Sequence, residues 1–339
     1  MTRRFTIMVL LVLLGATVVH AGGQSQPTDR RLEYPIDVVA TTGMIGDIVR
    51  EVAGEYAQVH ALMGEEVDPH LYRPTRADIA RMQRADIIFY NGFLLEGRMG
   101  DTLAQLARTR PVFAVAELAV ERLAADGIDE EAVLLDDEEY DGAYDPHLWM
   151  DVSLWMRAVD AVRDALVELD PPNGQFYRDN ATAYREELAM LDDYLREIIP
   201  TIPQERRVLV TAHDAFGYFG AAYGIEVVGV QGISTESEAG LEDINALVRF
   251  VVDRGVNAVF AETTVPDRAL AAVIEGAAAW GHRVVVGGNL YSDAMGPAGS
   301  WEGTYVGMID HNATTIVRAL GGRAPERGFR GRLSGGDGR

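Results

Sequence analysis

The chain has 339 residues, of which 48% are hydrophobic and 24% charged, enough for two globular domains with substantial cores. Its formal charge of −22 opposes binding to nucleic acid or anionic lipid and draws cations instead. Cysteine is absent, which excludes disulfides and any lipid carried on an N-terminal cysteine.

At the N-terminus, Arg3 and Arg4 precede an apolar run from Phe5 to Val19, and Val19-His20-Ala21 fits a small-x-small cleavage pattern. The run is short for a membrane span. An export signal over residues 1–21 is therefore expected to be cleaved, an uncleaved anchor being the alternative. With no cysteine, the expected product is free in a periplasm-like space and not a lipoprotein.

Past a polar stretch (22–31) the chain alternates between short β-branched runs and amphipathic segments. "IDVVATTG" reads as a buried strand and "MIGDIVREVAG" as a helix ending at Gly54. "AQVHALMG" is a second strand, followed by a loop containing Asp68-Pro69-His70. Thr75 is the expected N-cap of the helix "TRADIARMQRA". The strands "DIIFYNG" and "PVFAVAE" follow. A second Asp-Pro-His, ending at His147, precedes the periodic helix "DVSLWMRAVDAVRDALVELD". From Asn173 the apolar positions keep helical spacing to Ile199 without an internal proline, which predicts one long, stiff helix.

The alternation then restarts. "RVLVTAHDAFGYFGAAYG" is strand, loop and helix, and "IEVVGV", "NAVFAETT" and "HRVVVGG" are strands separated by helical patterns. The last helix is "TYVGMIDHNATTIVRALGG". The pattern predicts an α/β fold of two lobes with mainly parallel sheets, 34–170 and 203–322, joined by a rigid helix over 173–199. The glycine- and arginine-rich tail, 323–339, is expected to be disordered. The acidic run from Asp136 to Asp141 reads as a solvated loop.

Ligands of open α/β sheets bind beyond the carboxyl ends of the strands. His70, His147, His213 and Asp293 all fall in loops of that kind or beside a helix start, two in each half. The remaining histidines are less well placed: His20 is in the export segment, His60 inside a strand, His282 at a turn and His311 on the last helix. Proline stiffens both Asp-Pro-His loops, and their aspartates are placed to accept a backbone or imidazole hydrogen bond. Three imidazoles and a carboxylate suit Zn²⁺, and also Mn²⁺ or Fe²⁺ with a bidentate carboxylate. Their separations of 77, 66 and 80 residues match no compact metal motif.

The segments "TTGMIGD", "GEEVDPHLYRPTRADI", "ADIIFYNGFLLEGRM", "DPHLWMDVSLW", "ERRVLVTAHDAFGYF", "QGISTESEA", "FAETT", "SDAMG" and "EGTYVGM" together resemble the TroA-like zinc- and manganese-binding receptors of metal ABC importers. The resemblance runs from about Asp37 to Leu320. It implies a binding protein and no enzyme, with His70, His147, His213 and Asp293 as metal ligands between the lobes. It also implies a membrane permease as partner, a monomer, and no organic substrate. Manganese-selective members generally carry glutamate where this chain has His213, which points towards zinc, or zinc and manganese together. Many zinc-selective members carry a histidine-rich loop before the second histidine, where this chain has the acidic "LLDDEEYDGAYDPH". Glu262, at a strand end, is placed to lie near the site.

The competing reading is a secreted zinc hydrolase with three histidine ligands and a water, Asp293 as base, and Asp214 or Glu262 assisting. No carboxylate stands at the helical spacing of a metalloprotease. A dinucleotide-binding protein lacks its G-x-G-x-x-G after the first strand.

Overall fold

The computed structural model describes residues 32–136 and 144–334. The expected export signal and the acidic run beyond Asp136 lie outside the described residues. β1 (Ile36–Ala40), β2 (Ala57–Ala61), β3 (Ile87–Tyr90) and β4 (Val112–Ala114) form one parallel sheet in the order β2-β1-β3-β4. β5 (Val208–His213), β6 (Glu226–Gln231), β7 (Ala258–Glu262) and β8 (Val285–Leu290) form a second in the order β6-β5-β7-β8. Both sheets place their first strand second in the row, so the chain reverses direction of travel beside it and opens a crevice at the carboxyl ends. β5 is buried along its whole length, as its continuous apolar run demands of a strand covered on both faces.

The first lobe adds α1 (Gly43–Ala53), α2 (Arg76–Arg84), α3 (Gly100–Leu106), α4 (Val115–Ala125) and α5 (Val152–Leu169). Thr75 caps α2 as expected, in a box with Asp78: each side chain bonds the other residue's backbone N–H. "PVFAVAE", read as one strand, is split, because the chain leaves β4 at Ala114 and enters α4 at Val115.

α6 (Gly174–Ile198) is the long helix, 25 residues and about 37 Å by its rise per residue. Its buried positions 177, 181, 184, 188, 191, 195 and 198 recur at alternating steps of four and three, one continuous apolar seam. The first half of that seam packs on α1, where Asn180 Nδ2 donates to the Val52 carbonyl at 3.1 Å and the Tyr184 hydroxyl to Asp47 at 2.9 Å. The second half meets α10 (Tyr305–Ala319), with Tyr194 and Thr314 hydroxyls 3.2 Å apart.

In the second lobe α7 (Gly217–Tyr223), α8 (Leu241–Arg254) and α9 (Arg268–Ala279) precede α10. Val248, Val251 and Val273 of α8 and α9 pack with Val210 and Val259 of the sheet.

Of the tail expected to be disordered, 323–339, the described residues are 323–334. Residues 323–334 fold back onto the protein, with Phe329 and Leu333 buried. The cause lies in α10: the Asp310 carboxylate is buried, and the tail supplies the Phe329 N–H that it accepts at 2.7 Å.

Candidate metal centre

Both Asp-Pro-His loops close by the same turn. Asp68 Oδ1 accepts the His70 backbone N–H at 2.8 Å, and Asp145 Oδ1 accepts that of His147 at 2.9 Å. They then diverge. Asp145 also meets His147 Nδ1 at 2.7 Å, orienting the ring. Asp68 instead turns its other oxygen to the second lobe, where the Thr235 hydroxyl donates to it at 2.6 Å.

His213, the last residue of β5, is held as His147 is. Glu262, ending β7, accepts the His213 backbone N–H through Oε1 at 2.8 Å and stands 2.5 Å from Nδ1 through Oε2. A carboxylate on Nδ1 leaves Nε2 to face the centre. Asp293 follows β8, and its two oxygens face different imidazoles: Oδ1 lies 3.3 Å from His147 Nε2 and Oδ2 3.2 Å from His213 Nε2. His70 Nε2 stands 3.3 Å from His147 Nε2.

The structure thus brings together His70, His147, His213 and Asp293, all buried, with one donor atom of each within 4.8 Å of the others. Tetrahedral ligands at the usual zinc distances stand about 3.4 Å apart, close to the spacings seen here. Neither Asp293 oxygen makes a hydrogen bond, nor does His213 Nε2, although all three are buried. Such unsatisfied atoms converging on one point fit a cation. His147 and His213 are 0% exposed and His70 is 5% exposed, at the wall of a cleft of about 290 Å³ shared with Phe93, Arg98, Pro146 and Glu236.

The electrostatics are those of a site completed by positive charge. Burial holds His70 down at about 3, so it is a free lone-pair donor at neutral pH. Burial also opposes charge on His147, but the Asp145 and Asp293 carboxylates outweigh it and carry His147 up to about 9. His213 is raised in the same way by Glu262 and Asp293. Burial would raise Asp293, yet His213 and His147 hold it well below the carboxylate range. A divalent cation replaces the protons that balance these carboxylates in its absence.

The other histidines in the described residues have local partners. His60 lies 3.5 Å from Asp37, His282 meets the Val256 carbonyl and His311 the Asn289 carbonyl. Thr235 and Trp149 were not legible as site residues. The Trp149 indole N–H donates to the Ser292 carbonyl at 2.9 Å, tying the His147 loop to the residue before Asp293. No local signal marks either residue, because each partner lies more than 140 residues away.

Residues 38–319 match the family model described as "Zinc-uptake complex component A periplasmic". The zinc-binding protein TroA of Treponema pallidum is 44% identical over 316 residues, 93% of this chain and 96% of that protein. The manganese-binding lipoprotein MntA of Bacillus subtilis is 39% identical over 313 residues, 92% and 98% of the two chains. The solved structure of T. pallidum TroA superposes with a TM-score of 0.79, covering 84% of this chain and 99% of that one.

These relatives correct the expectation of a free protein that is not a lipoprotein. MntA is named a lipoprotein, as is the manganese ABC transporter substrate-binding PsaA of Streptococcus anginosus, 30% identical over 321 residues. The expectation rested on the missing cysteine. That absence bears on one attachment chemistry and does not by itself release a protein from a membrane, which an apolar run such as Phe5 to Val19 can also hold. With residues 38–319 matching the family model and the fold superposing on that of TroA, the chain belongs to the zinc-uptake complex component A family.

Proposed function

We propose that the protein captures one divalent transition-metal ion, Zn²⁺ or Mn²⁺, between its lobes and delivers it to the membrane permease of a metal ABC importer. His70, His147, His213 and Asp293 are its ligands. The carrying observation is the convergence of four buried donors, two from each lobe, on one point. His70 and His147 come from loops of the first lobe, His213 from the end of β5 and Asp293 from the loop after β8 in the second, so parting the lobes divides the ligand set in two. That geometry suits capture and release of the ion as cargo.

The set also suits binding without reaction. With both Asp293 oxygens turned to the centre and Glu262 engaged by His213, neither of these two carboxylates is left over as a general base. The negative charge of the chain attracts cations towards the cleft beside His70. Nitrogen-rich sites favour zinc over manganese in the ordinary affinity order, so zinc binds more tightly and availability governs which ion is carried.

The test is competition titration of metal-free protein with Zn²⁺, Mn²⁺ and Fe²⁺. One ion per chain is expected, with zinc displacing manganese and His147→Ala abolishing tight binding. Zero stoichiometry, or wild-type affinity in His147→Ala, would sink the proposal.

A further inference from the structure

Residues 323–334 lie beyond the family match, which ends at 319. They bridge two elements before gripping a third. Phe329 packs on Tyr194 of α6 with ring centroids 5.3 Å apart, while its N–H donates to Asp310 of α10. Arg330 pairs with Glu187 of α6 at 2.6 Å. Gly328 has φ 63°, and a Cβ there would stand 2.4 Å from the Asp310 carboxylate, so only glycine allows the chain to turn at this point.

The last described residues close on the loop that carries Asp293. The Arg332 guanidinium sits 4.0 Å over the Trp301 ring. Ser334 donates through its N–H and hydroxyl to the Glu302 carboxylate at 2.9 and 3.1 Å. The loop from Tyr291 to Thr304 is condensed enough to pass this grip along. Gly296 N–H donates to the Glu302 carbonyl at 2.8 Å, and a Cβ on Gly296 or Gly303 would stand 2.7 Å from Glu302 or 2.2 Å from Pro297. Close-packed backbone of this kind transmits displacement and does not absorb it.

We propose that residues 323–334 form a strap that positions Asp293 through Trp301 and Glu302 and thereby sets how long the metal ion is retained. The proposal rests on Asp293 being a ligand. Removing outer supports of a metal ligand typically costs 10–100-fold in affinity, and the strap acts at one remove, so a change of about 10-fold is expected.

The experiment compares the full chain with chains ending at Gly322 and at Gly331, each loaded with Zn²⁺ and mixed with excess chelator. Both shortened chains should release zinc about 10-fold faster, and their Co²⁺-loaded forms should show shifted visible bands, which report ligand geometry. The chain ending at Gly331 keeps the Phe329 anchor and decides the matter if the shorter one does not fold. Unchanged release and an unchanged Co²⁺ spectrum in that chain, whatever its Tm, overturn the strap. Absence of zinc binding in the full chain overturns the ligand assignment instead.

Discussion

Asp145 and Glu262 come from unrelated stretches of chain, a loop and a strand end, yet each sets a carboxylate against both the backbone N–H and Nδ1 of one histidine. A carboxylate so placed fixes the ring's orientation and makes the other nitrogen a better donor. Among the described residues no carboxylate meets the His70 ring in this way, and Asp68 turns its second oxygen to Thr235 across the lobes. The three histidines are therefore not equivalent. Asp145→Asn and Glu262→Gln should each weaken zinc binding 10–100-fold, read by chelator competition. Affinity equal to wild type in both would show that Nδ1 partners are idle here. The turn chemistry of Asp-Pro-His was legible in the sequence because it spans three residues, whereas the division of labour between Asp68 and Asp145 depends on partners from distant segments.

Among the elements, α6 does the joining, and its seam of apolar residues was legible because the spacing is local. What it meets was not. Tyr184 of α6 and the backbone N–H of Tyr305 at the start of α10 both donate to Asp47 on α1, at 2.9 and 3.2 Å, so one buried carboxylate ties together the linker and both lobes. Burial raises the Asp47 carboxyl above its ordinary 3.8, and the hydrogen bonds recover only part of that shift. The sign follows from the raised value. Stability from this group is complete below pH 3.8 and is lost as pH rises through the folded value. Asp47→Asn keeps an oxygen acceptor without the charge. In metal-free protein its stability relative to wild type should improve between pH 4 and pH 7 in urea unfolding. An equal difference at both pH values would contradict a buried, charge-penalised Asp47.

Across the whole molecule, the lobes are bound to each other by more than the helix. Besides the bonds at Asp47, Thr235 donates to Asp68, Arg98 pairs with Glu236 at 2.8 Å, and the Ala298 N–H donates to Glu65 at 2.6 Å. With a stiff helix spanning both lobes, release of the ion calls for a small relative shift. Small-angle scattering of metal-free and zinc-loaded protein should therefore give closely similar profiles. A change corresponding to tens of degrees of closure would refute the stiff linkage.

The sequence by itself determined the eight strands, the helices other than α3 and α4, the two-lobed alternation and the Asp-Pro-His turns, since periodicity, capping and turn chemistry act over a few residues. It also placed the four candidate ligands at loop positions, and a family resemblance grouped them. Only the tertiary structure decided that these side chains, separated by 66 to 80 residues, stand within 4.8 Å of one another. The same holds for the tail. Its glycines and arginines carry no periodic signal, and residues 323–334 pack on the protein because Asp310 and Glu302 are carboxylates that accept from Phe329 and Ser334 only once the second lobe has folded and set them within reach.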